Sequence, residues 1–344
     1  MRLKDWLKGF TSKLNLESRI GEGYIQKREE NVDRIFFATD IHGSTICWKK
    51  FINTNKFFNA NILILGGDTT GKAIIPIVEE GESFSLQEPN GKKIIVKDKN
   101  ELYKRMEYLS NYGYYPYITN KEEYKELESS KEKLNGLFIR LMKERIKEWI
   151  RLAEERLNGK EVFCYVCPGN DDPFEIDEAW KSSSIINVTE GKVVKINKIY
   201  EMVSTGWTNP TPWRTHRETT EEKLEVIIDH MVNKVRDMNT TIFNIHVPPY
   251  NSGLDEAPEL DENLKPKYGG RSFVPVGSKA VRKAIEKYQP LLSLHGHVHE
   301  SMGERKIGRT IAVNPGSSYM EGWLQGVIID IDERGIKRRV FITG

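Results

Sequence analysis

Short apolar runs alternate along this chain with longer stretches of helical periodicity, and that alternation predicts an α/β fold. Arg34 to Thr39 reads as a strand, Cys47 to Thr54 as a short helix, and Asn61 to Leu65 as a second strand. Leu134, Phe138, Leu141, Met142, Ile146, Trp149, Ile150, Ala153 and Leu157 keep an i, i+3, i+4 rhythm. That spacing predicts a long amphipathic helix, closed by Asn158-Gly159 and feeding a strand over Glu161 to Cys167. Further strands are expected at Ile185–Val188, Lys192–Ile196, Glu201–Ser204, Thr240–Ile245, Leu291–Leu294, Thr310–Val313, Gly326–Ile331 and Lys337–Phe341. Helices are expected at Glu221–Asn239 and Ser278–Tyr288.

Between Gly71 and about Ser130 the texture changes. Ala73–Val78, Ser83–Gln87 and Lys93–Asp98 look like short strands, with Pro89-Asn90-Gly91 as a hairpin turn and tyrosine-rich, helical text from Glu101. This stretch, residues 71–130, reads as a cap-like insertion in a domain covering 31–344. Residues 1–30 read as an N-terminal extension. Within it Leu3, Trp6, Leu7, Phe10 and Leu14 share one helical face, with Arg2, Lys4, Lys8 and Lys13 elsewhere. A basic amphipathic helix can lie on an anionic membrane, but docking on its own domain is the preferred reading.

Composition narrows the class. Of 344 residues 38% are apolar, enough for a real core, and 52 basic against 50 acidic residues leave a formal charge of +2. That balance argues against bulk-charge gripping of nucleic acid, so nucleic acid is not the favoured partner. Uncharged stretches such as Asn59 to Gly67 are far shorter than the ~18–20 apolar residues that span a bilayer. With no signal-peptide pattern at the start, a soluble cytoplasmic protein is expected. Of three cysteines, Cys164 and Cys167 form a C-x-x-C, but in an apolar run with no second ligand pair. Buried small hydrophobes are the better reading than zinc or redox chemistry.

The chemistry gathers where the expected strands stop, as ligand sites do in α/β sheets. There stand Asp40-Ile41-His42, Gly66-Gly67-Asp68, Pro168-Gly169-Asn170-Asp171-Asp172, His246, and His295-Gly296-His297-Val298-His299. Carboxylates, a carboxamide and imidazoles together suit first-row divalent metals. Residues i and i+2 of an extended segment point the same way, so D-x-H and H-x-H can each aim two ligands at one cluster. Four of the seven histidines are recruited by this scheme.

In this order the motifs closely resemble those of the calcineurin-like metallophosphoesterase superfamily, over most of the chain from about Arg34 to Ser318. The fold this implies is a four-layer α/β/β/α sandwich with two facing mixed sheets. The resemblance implies one metal held by Asp40, His42 and His299, a second held by Asn170, His246 and His297, and Asp68 bridging the two. Manganese is the first choice, while iron, zinc and nickel also match the donors. Asp40, Asp68, Asn170, Asp171 and His297 are the implied catalytic residues, with a hydroxide between the ions attacking phosphorus in line. The activity implied is hydrolysis of phosphoric esters, chiefly phosphodiesters of a nucleotide or other small molecule and secondarily monoesters. Alternatives are a nuclease of the same superfamily, or a catalytically silent binding scaffold. The protein-phosphatase patterns GDxVDRG and RGNHE are absent.

One departure stands out. Many relatives place His directly after the Asn, where it is thought to protonate the leaving oxygen or steady the transition state; here Asp171 follows, then Asp172. Branches lacking this His often favour phosphodiesters. Asp172 reads as the cap of a helix beginning near Pro173, and Asp171 equally as a cap or an acid. The loop Gly206 to Glu218 holds Trp207, Trp213, Arg214 and Arg217, which suit stacking and phosphate contact. Against that stands a packed loop whose arginines pair with Glu218, Glu221 and Glu222. His295 reads as a residue orienting a ligand, and Asn314 to Ser317 as structural.

Overall fold

The computed structural model describes residues 28–29 and 31–344. The amphipathic helix expected over residues 1–14 lies outside the described residues. Along the chain run β1 (Asp33–Ala38), α1 (Thr45–Phe58), β2 (Ile62–Leu65), β3 (Ala73–Glu80), β4 (Ser83–Gln87), β5 (Lys93–Val96), α2 (Lys99–Asn111), β6 (Tyr114–Thr119), α3 (Lys121–Ser129), α4 (Lys131–Leu157) and β7 (Phe163–Val166). After them come α5 (Asp177–Lys181), β8 (Ile186–Val188), β9 (Lys192–Lys195), β10 (Glu201–Thr205), α6 (Glu221–Val232), β11 (Thr241–Ile245), β12 (Glu256–Pro258), β13 (Phe273–Pro275) and α7 (Lys279–Tyr288). The chain closes with β14 (Leu292–Leu294), β15 (Gly303–Ile307), β16 (Thr310–Asn314), β17 (Gln325–Asp332) and β18 (Gly335–Thr343).

Two six-stranded sheets form the body, ordered β18-β17-β1-β2-β7-β8 and β15-β16-β14-β11-β10-β9. In the first, β1, β2, β7 and β8 are parallel, with β17 and β18 antiparallel at the edge. In the second, β16, β14, β11 and β10 are parallel between antiparallel β15 and β9. Alternation along the strands explains the layering. Ile35 and Phe37 of β1, with Ile62 and Ile64 of β2, meet Met202, Ile242, Leu292 and Val313 of the other sheet. Phe36, Ala38, Leu63 and Leu65, on the opposite face, pack under α1, α4 and α5 through Trp48, Phe51, Trp149 and Trp180. Val203, Phe243 and Ile245 are covered by α6 and α7 through Leu224, Ile228, Val281 and Ile285. The result is the four-layer α/β/β/α sandwich, in which both sheets point parallel strands toward the same edge.

Between β2 and β7 the chain builds a separate four-stranded sheet, β5-β4-β3-β6, with α2 on an apolar face made by Ile75, Ile77, Phe84, Leu86 and Val96. Its strand β6 corrects the helical reading of the tyrosine-rich text. Tyr114 to Thr119 pairs in parallel with β3, and Tyr115 is buried. Aromatic and β-branched side chains suit such a pleated, half-buried surface. Helix α6 is also shorter than expected, ending at Val232 with Asn233 as its cap. No helix among the described residues is long and apolar enough to cross a membrane.

Candidate metal centre

Strands β1, β2 and β7 end side by side, so their following loops deliver Asp40, His42, Asp68 and Asn170 to one edge. Strands β11 and β14 deliver His246, His297 and His299 from the facing sheet. The first two loops are stitched by backbone bonds from Asp40 N to Gly67 O (3.0 Å), His42 N to Asp68 O (3.0 Å) and Gly43 N to Thr69 O (2.9 Å). The sheets are joined at the site itself. His297 N donates to both Asp40 carboxylate oxygens at 3.2 and 3.0 Å, and His246 Nδ1 faces Gly66 O at 3.2 Å. Donation to that carbonyl turns the other nitrogen of His246 toward the carboxylates.

The side chains then converge. Asp40 Oδ1 lies 3.3 Å from His299 Nε2 and 3.7 Å from His246 Nε2; Asp68 Oδ2 lies 3.4 Å from His246 Nε2 and 3.7 Å from His42 Nε2. The Nε2 atoms of His42 and His299 stand 3.1 Å apart. Asp40, His42, Asp68, Asn170 and His246 are all buried. Three sets of ligand atoms are close enough to hold a cation: Asp40, His42 and His299; Asp40, Asp68 and His246; and His42, Asp68 and Asp171. Asn170 Oδ1 and His297 Nδ1 meet each other at 2.8 Å, and the His297 ring stands edge-on to His246 at 5.4 Å.

The backbone here is strained. Asp40, His42, Asp68 and His297 adopt φ of 53°, 39°, 47° and 67°, a left-handed region that non-glycine residues enter at a cost of about 1–3 kcal/mol each. Glycines clear the room: a Cβ on Gly169 would stand 2.2 Å from Asp68 Oδ1, and one on Gly296 2.3 Å from Asp40 Oδ2. Close approach, rather than turn geometry, requires glycine at both places.

The electrostatics of the cluster suits a cation. Burial opposes charge on His246, but Asp68 and Asp40 outweigh it and raise its pKa to about 9. Burial lowers His42 to about 3 and His297 to about 4. Burial also opposes ionisation of Asp40 and Asp68, but His246 prevails and holds both carboxyls below their usual range. His246 Nε2 and His42 Nδ1 are buried without a hydrogen-bond partner. Buried ring nitrogens left unpaired are costly, so two carboxylates ringed by imidazoles with orphaned nitrogens fit divalent cations well.

Around this core the structure sorts the remaining residues. Asp172 does not cap the following helix, whose 3₁₀ start at Phe174 has no side-chain cap. Its buried carboxylate accepts instead from Thr69 N and Oγ1 (2.9 and 3.1 Å), Thr70 N and Oγ1 (2.8 and 2.6 Å) and Gly169 N (2.9 Å). Orphaned N–H groups of two adjoining loops outcompete a helix end that water can reach. Asp171 donates its N–H to Asp68 Oδ1 (2.9 Å) and pairs its carboxylate with Lys72 Nζ (2.7 Å). Burial and then Asp68 push its carboxyl up to about 6, against the pull of Lys72.

Arg217 is not brought to the cleft. It is buried, bound to Asp172 O and Asp177 Oδ1 and stacked over Phe174, because its loop needs an internal cation to gather those acceptors. Trp207 is half-buried against the same Phe174 ring. Trp213 and Arg214 are exposed, beside Thr215, whose hydroxyl accepts from Asn170 Nδ2 at 2.8 Å. Glu218 does hold this loop, through Thr211 and Thr215 rather than an arginine. His295 is buried, its Nδ1 facing the carbonyls of Ile245 and Val247 on either side of His246. Asn314 donates to Gly296 O and Val298 O and so holds the His297–His299 turn. Cys164 and Cys167 are free and buried.

Two residues at the site, Lys72 and Tyr319, escaped the sequence reading. Lys72 reaches Asp171 from the root of the inserted sheet. Tyr319 packs its ring 4.7 Å from His42 and 6.0 Å from His299, and Ser317 Oγ donates to Asp40 O at 2.7 Å. The only signal for Lys72 was its place four residues after Asp68.

No family model matches the chain. Over 170 residues, 49% of this chain and 69% of the relative, it is 36% identical to the uncharacterized protein MJ1162 of Methanocaldococcus jannaschii. A crystal structure superposes on 90% of this chain and 98% of its own at TM-score 0.51 and 17% identity, a likeness of fold alone. Yfce, a phosphoesterase from E. coli, covers 89% of this chain and 98% of its own at 13% identity, but its TM-score of 0.31 is too low to carry weight.

Proposed function

We propose that this chain, which belongs to the same family as MJ1162 of Methanocaldococcus jannaschii and to the calcineurin-like metallophosphoesterase superfamily, is a metal-dependent phosphodiesterase acting on a nucleotide or other small phosphate ester. The catalytic domain is read as residues 31–344, with about 71–130 inserted. One observation carries the reading: carboxylates from two loops and imidazoles from both sheets meet in a buried cluster whose orphaned nitrogens call for cations.

Asp40, His42 and His299 would hold one divalent ion, Asn170, His246 and His297 a second, with Asp68 between; manganese suits these donors first. When bound, the ions would supply Lewis acidity and neutralise charge growing on phosphorus. The chain's own residues do the rest. His295 and Asn314 fix the turns that carry the imidazoles, and the Gly66 carbonyl sets the tautomer of His246. Thr215 fixes the Asn170 carboxamide. Asp171 stands where many relatives have an imidazole, so proton donation to a poor leaving oxygen is weaker, which favours diesters with better leaving groups.

The test is hydrolysis of bis-p-nitrophenyl phosphate with added Mn²⁺, beside the corresponding monoester. Turnover of the diester above an Asp68→Asn control supports the reading. No turnover above that control leaves a binding scaffold, and clear preference for the monoester overturns the diester assignment.

A further inference from the structure

Lys72 stands beside the cluster without being part of it. Its ammonium lies 2.7 Å from Asp171 Oδ2, and that same oxygen lies 3.9 Å from His42 Nδ1. The lysine side chain is 53% exposed while its partner carboxylate is 18% exposed, so the pair bridges buried centre and open mouth. The Asp171 contact occupies one of three ammonium donors.

The backbone leading to Lys72 is fixed. Thr69 and Thr70 are bound by the buried Asp172 carboxylate through both backbone N–H groups and both hydroxyls. Gly71 N donates to the buried Tyr115 hydroxyl at 3.0 Å, and Gly71 sits so close to Gly113 that a Cβ would stand 2.0 Å from its carbonyl oxygen. Arg145 packs 4.9 Å over the Tyr115 ring and binds Gly43 O at 2.7 Å, joining the root of the inserted sheet to the His42 loop. A rigid base therefore carries a long, flexible stem whose charge is aimed at the rim of the centre.

We infer that Lys72 binds the phosphoryl group of the substrate and that Asp171 is its positioning residue. The inference rests on the phosphoesterase reading and deepens it by naming the ligand contact: a phosphate oxygen facing Lys72, whose ammonium Asp171 holds beside the centre.

The experiment uses the full chain loaded with Mn²⁺, counts the metal taken up, and measures inorganic phosphate binding by calorimetry. Lys72→Met should bind phosphate about tenfold to a hundredfold more weakly with unchanged metal uptake and melting temperature, and Lys72→Arg should recover most of the loss. Asp171→Asn should weaken phosphate binding alone but add nothing in the Lys72→Met background, since it acts through the lysine. Phosphate affinity of Lys72→Met within about twofold of wild type, or additive losses in the double variant, would overturn the proposal. The two readings fail apart: a wild-type chain that takes up no metal and cleaves no ester sinks both. One that does both while Lys72→Met binds phosphate normally sinks only this one.

Discussion

The floor of the site and its rim are built by different means. On the floor, the clustered side chains are placed by backbone: left-handed φ at Asp40, His42, Asp68 and His297, glycines admitting carboxylates at close range, and bonds crossing between sheets. At the rim, Lys72 and Asp171 are placed by the charge of their own side chains, and the nearby loop beside Thr215 leaves Trp213 and Arg214 exposed. Strain that several contacts over-determine gives a rigid cluster suited to a defined ion geometry. Long exposed side chains give an adjustable surface suited to a substrate that enters and leaves.

Asp68→Asn should expose the contrast most sharply, with a loss of about a thousandfold or more in diester turnover and reduced metal uptake. Retention of near-normal turnover would remove Asp68 from the centre. Gly169→Ala should come next, at about a hundredfold, since its new Cβ meets Asp68 at 2.2 Å; equal activity would mean the floor adapts like the rim.

Asp172→Ala tests the joint between the two regions. It strands the N–H groups of Thr69, Thr70 and Gly169 in the interior and should cost about 3 kcal/mol in denaturant unfolding. A change below about 1 kcal/mol would show that other contacts hold these loops. Adding Mn²⁺ at a hundred times its dissociation constant should stabilise the wild-type chain by about 2.7 kcal/mol, and Asp68→Asn by much less. Identical melting curves with and without the ion would contradict a cation-binding floor. Arg214→Ala should have the smallest effect, about threefold in KM with kcat unchanged, as suits an exposed cation. No change in either constant removes Arg214 from the substrate surface.

Much of this was legible in the linear text because it is local. The apolar runs ending in Asp40, Asp68, Asn170 and His246 announce buried parallel strands, and the family resemblance added His297 and His299 to the expected cluster. Arg217 misled because a basic side chain beside a candidate cleft reads as exposed, whereas the fold surrounds it with acceptors from residues 172–177. Asp172 misled because the nearest helix start is adjacent in sequence, while its true partners, Thr69 and Thr70, lie 103 and 102 residues away.

Side-chain alternation and the residue types at strand ends therefore determined the α/β class and which chemistry would gather, since both depend on neighbours a few residues apart. Tertiary structure alone decided that Lys72 meets Asp171, that Tyr114 to Thr119 pairs with β3 as a strand, and that one glycine makes way for a distant carboxylate. Those outcomes depend on how separate loops close on one another, and no spacing along the chain encodes that distance.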